Sequence, residues 1–369
     1  MTLTPRRTTV ATVVLASVLT STGTPEAQGV RTQSLPLVWI LATGGTIAGR
    51  GASTGVSDYK SGALAAEELV KAVPEIRQVA EVKVEQLFNV SSGDLTLDNL
   101  LTLSKRINTI FATDSRVAGV VVTHGTSTLE ETAYFLNLTV RDDRPVVVTG
   151  AMRPATATSA DGPLNLLNAV RTASTHDARA KGVLVVLNDE INGAREVTKT
   201  NTYRVETFRA PDLGLLGYVD GDAVVFYRSS TRRHTSRTEF DVTQIRELPK
   251  VDIYYSYVEP NTEMIDALVK TGVKGIVFAG TGAGTIAAAE RAALKALRAS
   301  PTGPGPVLVR SSRVGSGRVI GLTGLREEYD ALGLIPGDNL NPQKARILLM
   351  LALTRTNNRD EIKRMFLEY

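Results

Sequence analysis

A chain of 369 residues, 43% hydrophobic and 22% charged, has room for two domains and can bury a sizeable core without covalent staples. With no cysteine it excludes disulfides, thiolate metal sites and thiol nucleophiles, and its three histidines, His124, His176 and His234, stand at no metal-ligand spacing; no metal is expected. The net charge of +4 has a local source, because Arg228, Arg232, Arg233, His234 and Arg237 cluster with few aromatic neighbours, which reads as a solvated linker rather than a nucleic-acid surface.

Arg6 and Arg7 precede an apolar run over residues 10–19, and small and polar residues follow to Gln28. This is the charged, apolar and small-residue order of a secretory signal over residues 1–27, with cleavage expected near Ala27. The run is too short to span a bilayer. The mature protein is therefore expected to be periplasmic or secreted, with no membrane attachment after cleavage. The paired arginines point toward a twin-arginine route, although the residues after them match it poorly.

From Pro36 onward, apolar runs alternate with amphipathic stretches. Strands are expected at 36–43, 82–90, 119–123, 145–149 and 182–187. Helices are expected at 97–111, 129–138 and 163–173, the last with Asp161 as its cap and Pro163 in its first turn. The polar stretch 228–249 breaks the rhythm. Strands at 251–258, 274–279 and 306–311 and helices at 285–299 and 342–354 then resume it. Short all-apolar strands alternating with helices imply a parallel sheet covered on both faces. The fold class is α/β, with a larger N-terminal parallel-sheet domain (36–227), a linker (228–249) and a smaller C-terminal α/β domain (250–369).

In such sheets ligands bind where strands end. Two strand ends carry a threonine among glycines: Thr46 in 43–49 (TGGTIAG) and Thr126 in 123–127 (THGTS). Glycines permit sharp turns and close approach of a ligand to backbone amides. Neither segment has the Lys-Ser/Thr ending of a phosphate-binding loop. The run 280–284 (GTGAG) mimics a dinucleotide fingerprint but lacks its third glycine and a suitably placed acid.

With their flanks, these segments resemble the bacterial type II L-asparaginases of the asparaginase/glutaminase family. The stretches 41–49 (LATGGTIAG) and 122–134 (VTHGTSTLEETAY) are similar to its two signatures. Further similarity lies at 150–154, 159–163, 188–189, 197–202, 311–314 and 341–346 (NPQKAR), in the family's order, so the resemblance covers almost all of the expected mature chain. It implies hydrolysis of the side-chain amide of asparagine through a threonine acyl-enzyme, without a cofactor, in a homotetramer. By motif position Thr46 resembles the nucleophile and Tyr59 its phenolic partner, on a small-residue loop suited to closing over the site. Thr126 and Lys199 resemble the second polar group, which assists proton transfer or activates water. A lysine partly withdrawn from water loses its proton more readily, which suits it to base work. His124 reads as a hydrogen-bonded structural histidine rather than the base. Ser92, in 89–94 (NVSSGD), matches the serine that holds the substrate α-carboxylate.

The resemblance breaks at three positions expected to surround the substrate's α-ammonium. Gly93 stands where glutamine is usual, Ser127 where aspartate is usual, and Ala283 where asparagine is usual. A glutamate expected from a neighbouring subunit falls near Glu327. These departures leave three readings: retained asparaginase activity, altered amide specificity, or a weak enzyme. The tRNA-dependent amidotransferase subunit that shares the fold is another alternative, but it normally carries an extra N-terminal domain where this chain has a signal-like segment.

Overall fold

Along β1 (Leu37–Gly44) nearly every side chain is buried, but alternate positions enter different cores, because successive strand residues face opposite ways. Val38 and Ile40 join one cluster, and Leu37 and Leu41 another. The same split runs through β3 (Val117–Thr123), β4 (Val146–Thr149) and β5 (Val183–Leu187). Val121, Val147, Leu184 and Val186 face the side covered by α1 (Ala66–Lys71), α2 (Ile76–Val79) and α5 (Gly162–Ser174). Val120, Val122, Val146, Val148, Val183 and Val185 face α3 (Leu97–Thr113) and α4 (Leu129–Thr139). The computed structural model describes residues 34–300, 305–321 and 324–369; the signal-like segment 1–27 lies outside the described residues.

The first sheet has eight strands in the order β10-β9-β6-β5-β4-β3-β1-β2, with β2 (Glu81–Val90) at one edge. From β2 through β5 all pairs are parallel. Beyond β5 the sheet turns antiparallel through β6 (Glu190–Gly193), then, after the separate two-residue pair β7 (Thr198–Lys199) and β8 (Phe208–Arg209), through β9 (Gly217–Val219) and β10 (Val224–Phe226). The antiparallel end departs from the purely parallel expectation. Its strands are only three or four residues long, too short to give an apolar run to read.

The second sheet is parallel, in the order β11 (Val251–Tyr255), β12 (Gly275–Gly280), β13 (Val307–Ser312) and β14 (Leu334–Pro336). One of its faces packs Tyr254, Ile276, Phe278 and Leu308 against α6 (Glu263–Lys270), α7 (Ala288–Ala299) and α8 (Arg326–Ala331). The other packs Val251, Val277, Val309 and Ile335 against α9 (Pro342–Leu353) and α10 (Arg359–Glu368). That cluster also takes Tyr134, Phe135 and Leu138 of α4, so a continuous apolar core joins the two sheets' helices.

Two expectations need correction. The segment 228–249 is not a solvated linker: Phe240, Val242 and Leu248 lie in the shared core, and Arg228, Arg232, Arg233 and Arg237 are engaged. Arg232 reaches Asp338 at 2.6 Å, and Arg233 reaches Glu368 at 2.7 Å while its guanidinium lies 5.0 Å from the ring of Tyr369. Carboxylates supplied by the distant C-terminal residues turn an apparently free basic stretch into an ion-paired clasp. Asp161 precedes α5 but does not cap it with its side chain. Its carboxylate instead accepts from Met152 N and Arg153 N, both at 2.9 Å, tying down the loop after β4.

Candidate active site

Strands β1 and β3 are neighbours, so the turns that follow them meet. Thr43 Oγ1 donates to Thr123 O at 2.8 Å and locks the two strand ends together. Beyond this point the chain needs glycine. Gly44 and Gly45 have φ of +100° and +85°, a region L side chains rarely enter. A Cβ on Gly45 would also stand 2.3 Å from Gly125 Cα, so the two turns pack backbone to backbone.

That contact places two hydroxyls at one end of the sheet. Thr46, 8% exposed, is bonded to the Tyr59 hydroxyl at 2.8 Å. Tyr59 arrives on the loop from Arg50 to Lys60, whose ends pair antiparallel, and its ring lies flush on Gly49, where a Cβ would come within 2.7 Å of it. Thr126, 6% exposed, accepts a hydrogen bond from Lys199 Nζ at 2.8 Å. Lys199 lies on β7, and burial of its ammonium lowers its pKa, with the nearby Glu130 carboxylate acting in the opposite direction.

Ser92 opens a short turn after β2 and is 5% exposed. Its Oγ accepts from Ser127 N at 3.1 Å, and its carbonyl accepts from Thr128 Oγ1 at 2.7 Å. The Ser92 hydroxyl proton therefore remains available to an anionic group at the site. A Cβ on Gly125 would lie 2.5 Å from Ser92 Oγ, which fixes glycine at that position.

His124 is fully buried beneath this turn. Its Nδ1 pairs with Gly125 O at 2.7 Å and its Nε2 with Thr132 Oγ1 at 2.9 Å, so neither nitrogen reaches the Thr126 hydroxyl. Burial holds its pKa down to about 4, and the neutral ring donates from Nδ1 to the carbonyl and accepts at Nε2.

The structure thus joins Thr46 with Tyr59, Thr126 with Lys199, and Ser92 with the Ser127 amide. Gly93 has only Ser91 Oγ within 4.0 Å of a Cβ, so nothing steric requires glycine there, and Ser127 is exposed. Ala283 lies in the turn after β12, its carbonyl accepting from Arg310 Nη1 at 3.3 Å. Glu327 lies exposed on α8, and among the described residues no hydrogen bond or ion pair connects it to the threonines. Glu130 in the first turn of α4, and Gln343 and Lys344 in that of α9, were not singled out by sequence reasoning. The last two sit inside the quoted 341–346 motif, which was the available signal. Among the described residues no group of three or more His, Asp and Glu side chains could hold a metal ion, and no helix is long and apolar enough to cross a membrane.

The scaffold is α/β with a partnered hydroxyl at each of two neighbouring strand ends, an arrangement open to acyl-transfer chemistry, and comparison with known proteins gives the family. Residues 37–232 match the asparaginase N-terminal model and residues 250–366 the glutaminase/asparaginase C-terminal domain. L-asparaginase 2 of Bacillus subtilis is 50% identical over 339 residues, covering 91% of this chain and 88% of its own length. The probable periplasmic L-asparaginase of Haemophilus influenzae is 46% identical over 338 residues, covering 91% of this chain and 93% of its own. The crystal structure of a probable cytoplasmic L-asparaginase from Campylobacter jejuni matches with a TM-score of 0.85 at 46% identity, covering 91% of this chain and 100% of that one. The chain belongs to the asparaginase family of amide hydrolases.

Proposed function

We propose that the protein hydrolyses L-asparagine to L-aspartate and ammonia through an acyl-enzyme on Thr46. The observation that carries this reading is the pair of nearly buried threonine hydroxyls at adjacent strand ends, each within 2.8 Å of a group able to move a proton. An alcohol needs such a partner to act as a nucleophile near neutral pH. Thr46 Oγ attacks the side-chain amide carbon while its proton passes to the Tyr59 oxygen and the Tyr59 hydroxyl passes its own proton on to the amide nitrogen, leaving Tyr59 neutral. Ammonia then leaves carrying a proton, and the Thr46 ester remains. The Thr126–Lys199 pair assists the proton transfers and the entry of water that releases aspartate. The Ser92 hydroxyl proton faces the substrate α-carboxylate. Ammonia release from asparagine and glutamine, with an acyl adduct on Thr46 sought by mass spectrometry, tests this; turnover that persists in Thr46→Ala would remove Thr46 from the role.

A second reading is supported by Gly93 and Ser127, which offer no carboxylate or amide side chain to an α-ammonium. An ammonium taken from water without a partner is strongly disfavoured. The enzyme would then discriminate poorly between asparagine and succinamate, and Ser127→Asp would shift preference toward asparagine by about tenfold or more. Strong native preference for asparagine would refute it.

We infer in addition a homotetramer in which Glu327 reaches a neighbour's site, and export guided by residues 1–27. Light scattering and intact mass test these; a fully active monomer, or an uncleaved chain in the cytoplasm, would refute them.

A further inference from the structure

Lys344, in the first turn of α9, is 1% exposed, and its ammonium donates to two backbone carbonyls, Arg195 O at 2.9 Å and Val197 O. A buried ammonium is costly unless bonded, so these two carbonyls matter to the fold. They belong to the far side of the domain boundary, in the turn between β6 and β7. There Glu196 N and Val197 N both donate to Gly193 O, at 3.1 and 3.0 Å, which curls the chain and presents the carbonyls to α9. The Arg195 side chain is gripped from the same direction, by Tyr369 O and Asn339 Oδ1, each at 2.8 Å. Two residues after Val197 comes Lys199.

β7 is only two residues long and pairs only with the equally short β8. So small a ladder gives Lys199 little intrinsic placement. Its Nζ nevertheless has to stay at 2.8 Å from Thr126 Oγ1. The residue preceding Lys344 acts on the other member of the pair. Gln343 Nε2 donates at 2.8 Å to Glu130 Oε1, in the first turn of the helix that follows Thr126. Asn341 Oδ1 accepts from Lys344 N at 3.1 Å and holds the α9 turn from which both side chains project.

We propose that the first turn of α9, through Lys344 and Gln343, is the positioning element that keeps Lys199 and Thr126 in register, so that the C-terminal domain completes the active site of its own chain. Neither residue touches the reacting atoms. The inference rests on the role given to the Thr126–Lys199 pair under the proposed function. Burial holds the Lys344 pKa down to about 8 against the carboxylates of Glu130 and Glu196, so it remains largely charged at neutral pH.

The test compares Lys344→Met, Lys344→Arg and Gln343→Leu with Lys199→Met, using melting curves to confirm folding and steady-state ammonia release. Misplacing a catalytic group by a fraction of an ångström to about 1 Å costs up to about 10²-fold in rate. Lys344→Met is expected to lower kcat by roughly thirtyfold with KM changed less than about twofold, Lys344→Arg to restore part of it, and Gln343→Leu to cost about threefold. In a Lys199→Met background, Lys344→Met should cost nothing further, because the group it places is already gone. An inactive Lys199→Met beside a folded Lys344→Met of wild-type kcat would overturn the positioning role alone. So would a full additional loss in the double variant. An active Lys199→Met would overturn the reading of the pair itself. If Lys344→Met does not fold, Gln343→Leu is judged by the same kcat and background criteria.

Discussion

Thr46 and Thr126 follow neighbouring parallel strands and each makes a hydrogen bond of 2.8 Å, but their partners arrive by different routes. Tyr59 is 13 residues from Thr46, on a loop that reaches over the surface. That loop is fastened to the neighbouring segment 153–160 by three bonds: Ala155 N to Gly49 O at 3.0 Å, Gly51 N to Thr156 Oγ1 at 2.9 Å and Thr158 N to Thr54 O at 3.1 Å. Lys199 is 73 residues from Thr126, on a short strand anchored by a buried ammonium and by the C-terminal residue. A partner on a lightly fastened loop can move aside for substrate. A partner anchored in the core cannot move without breaking buried bonds. We propose from this contrast that the Thr46 side gates the site and the Thr126 side keeps a fixed proton-handling pair.

The largest expected effect falls on both sides alike. Thr46→Ala and Thr126→Ala should each reduce turnover by about 10²-fold or more with the melting temperature little changed. Only Thr46→Ala should abolish the acyl adduct, and an adduct in that variant would break the distinction. Next come the partners. A lysine whose pKa is lowered by burial gains free base at lower pH than usual, so kcat/KM is expected to rise toward alkaline pH, and Lys199→Met should remove that rise. Tyr59→Phe should lower the rate while keeping that rise; an identical pH profile for both variants would erase the contrast.

Stability gives a smaller effect. His124, beneath the Thr126 turn, and His234 are both held near pKa 4 by burial, against 6.5 for an ordinary histidine. Between those values the unfolded chain binds more protons than the native one, so stability is intact above pH 6.5 and falls as the pH drops toward 4. For His124 the full span is worth up to about 3 kcal/mol. Melting curves across this range should flatten in His124→Asn, and an unaltered pH slope would show that the ring does not supply it. The smallest effect belongs to the loop fastening. Thr156→Val removes an acceptor from Gly51 N and should raise KM by about two- to fivefold with kcat nearly intact, a loss of about 1 kcal/mol. A larger loss in kcat than in KM would mean that the loop is part of the chemistry rather than the gate.

Much of the architecture follows from local pattern. The all-apolar runs at 119–123, 145–149 and 182–187 become β3, β4 and β5, since only a strand covered on both faces can hide every side chain of a short run. The amphipathic stretches starting at Leu97, Leu129 and Pro342 become α3, α4 and α9. Elements with weaker signals escaped: α10 hides Ile362, Met365 and Phe366 among charged residues, and β6 to β10 are too short for periodicity to register. The glycines and threonines of the two turns were legible because tight backbone approach restricts which residues can stand there.

What the sequence by itself determined was therefore the strand and helix alternation, the two threonine-bearing turns and, through its motifs, the family. Tertiary structure decided that β1 and β3 are neighbours, that Lys199 meets Thr126, that Arg232 and Arg233 are ion-paired, and that Asp161 serves a loop instead of a helix cap. It also decided that Lys344, which composition would place at the surface, lies buried against carbonyls about 150 residues away. The physical reason is range. Side-chain alternation is imposed residue by residue, whereas a buried polar group is tolerated only if a distant segment supplies its hydrogen-bond partner, and that pairing exists only once the chain has folded.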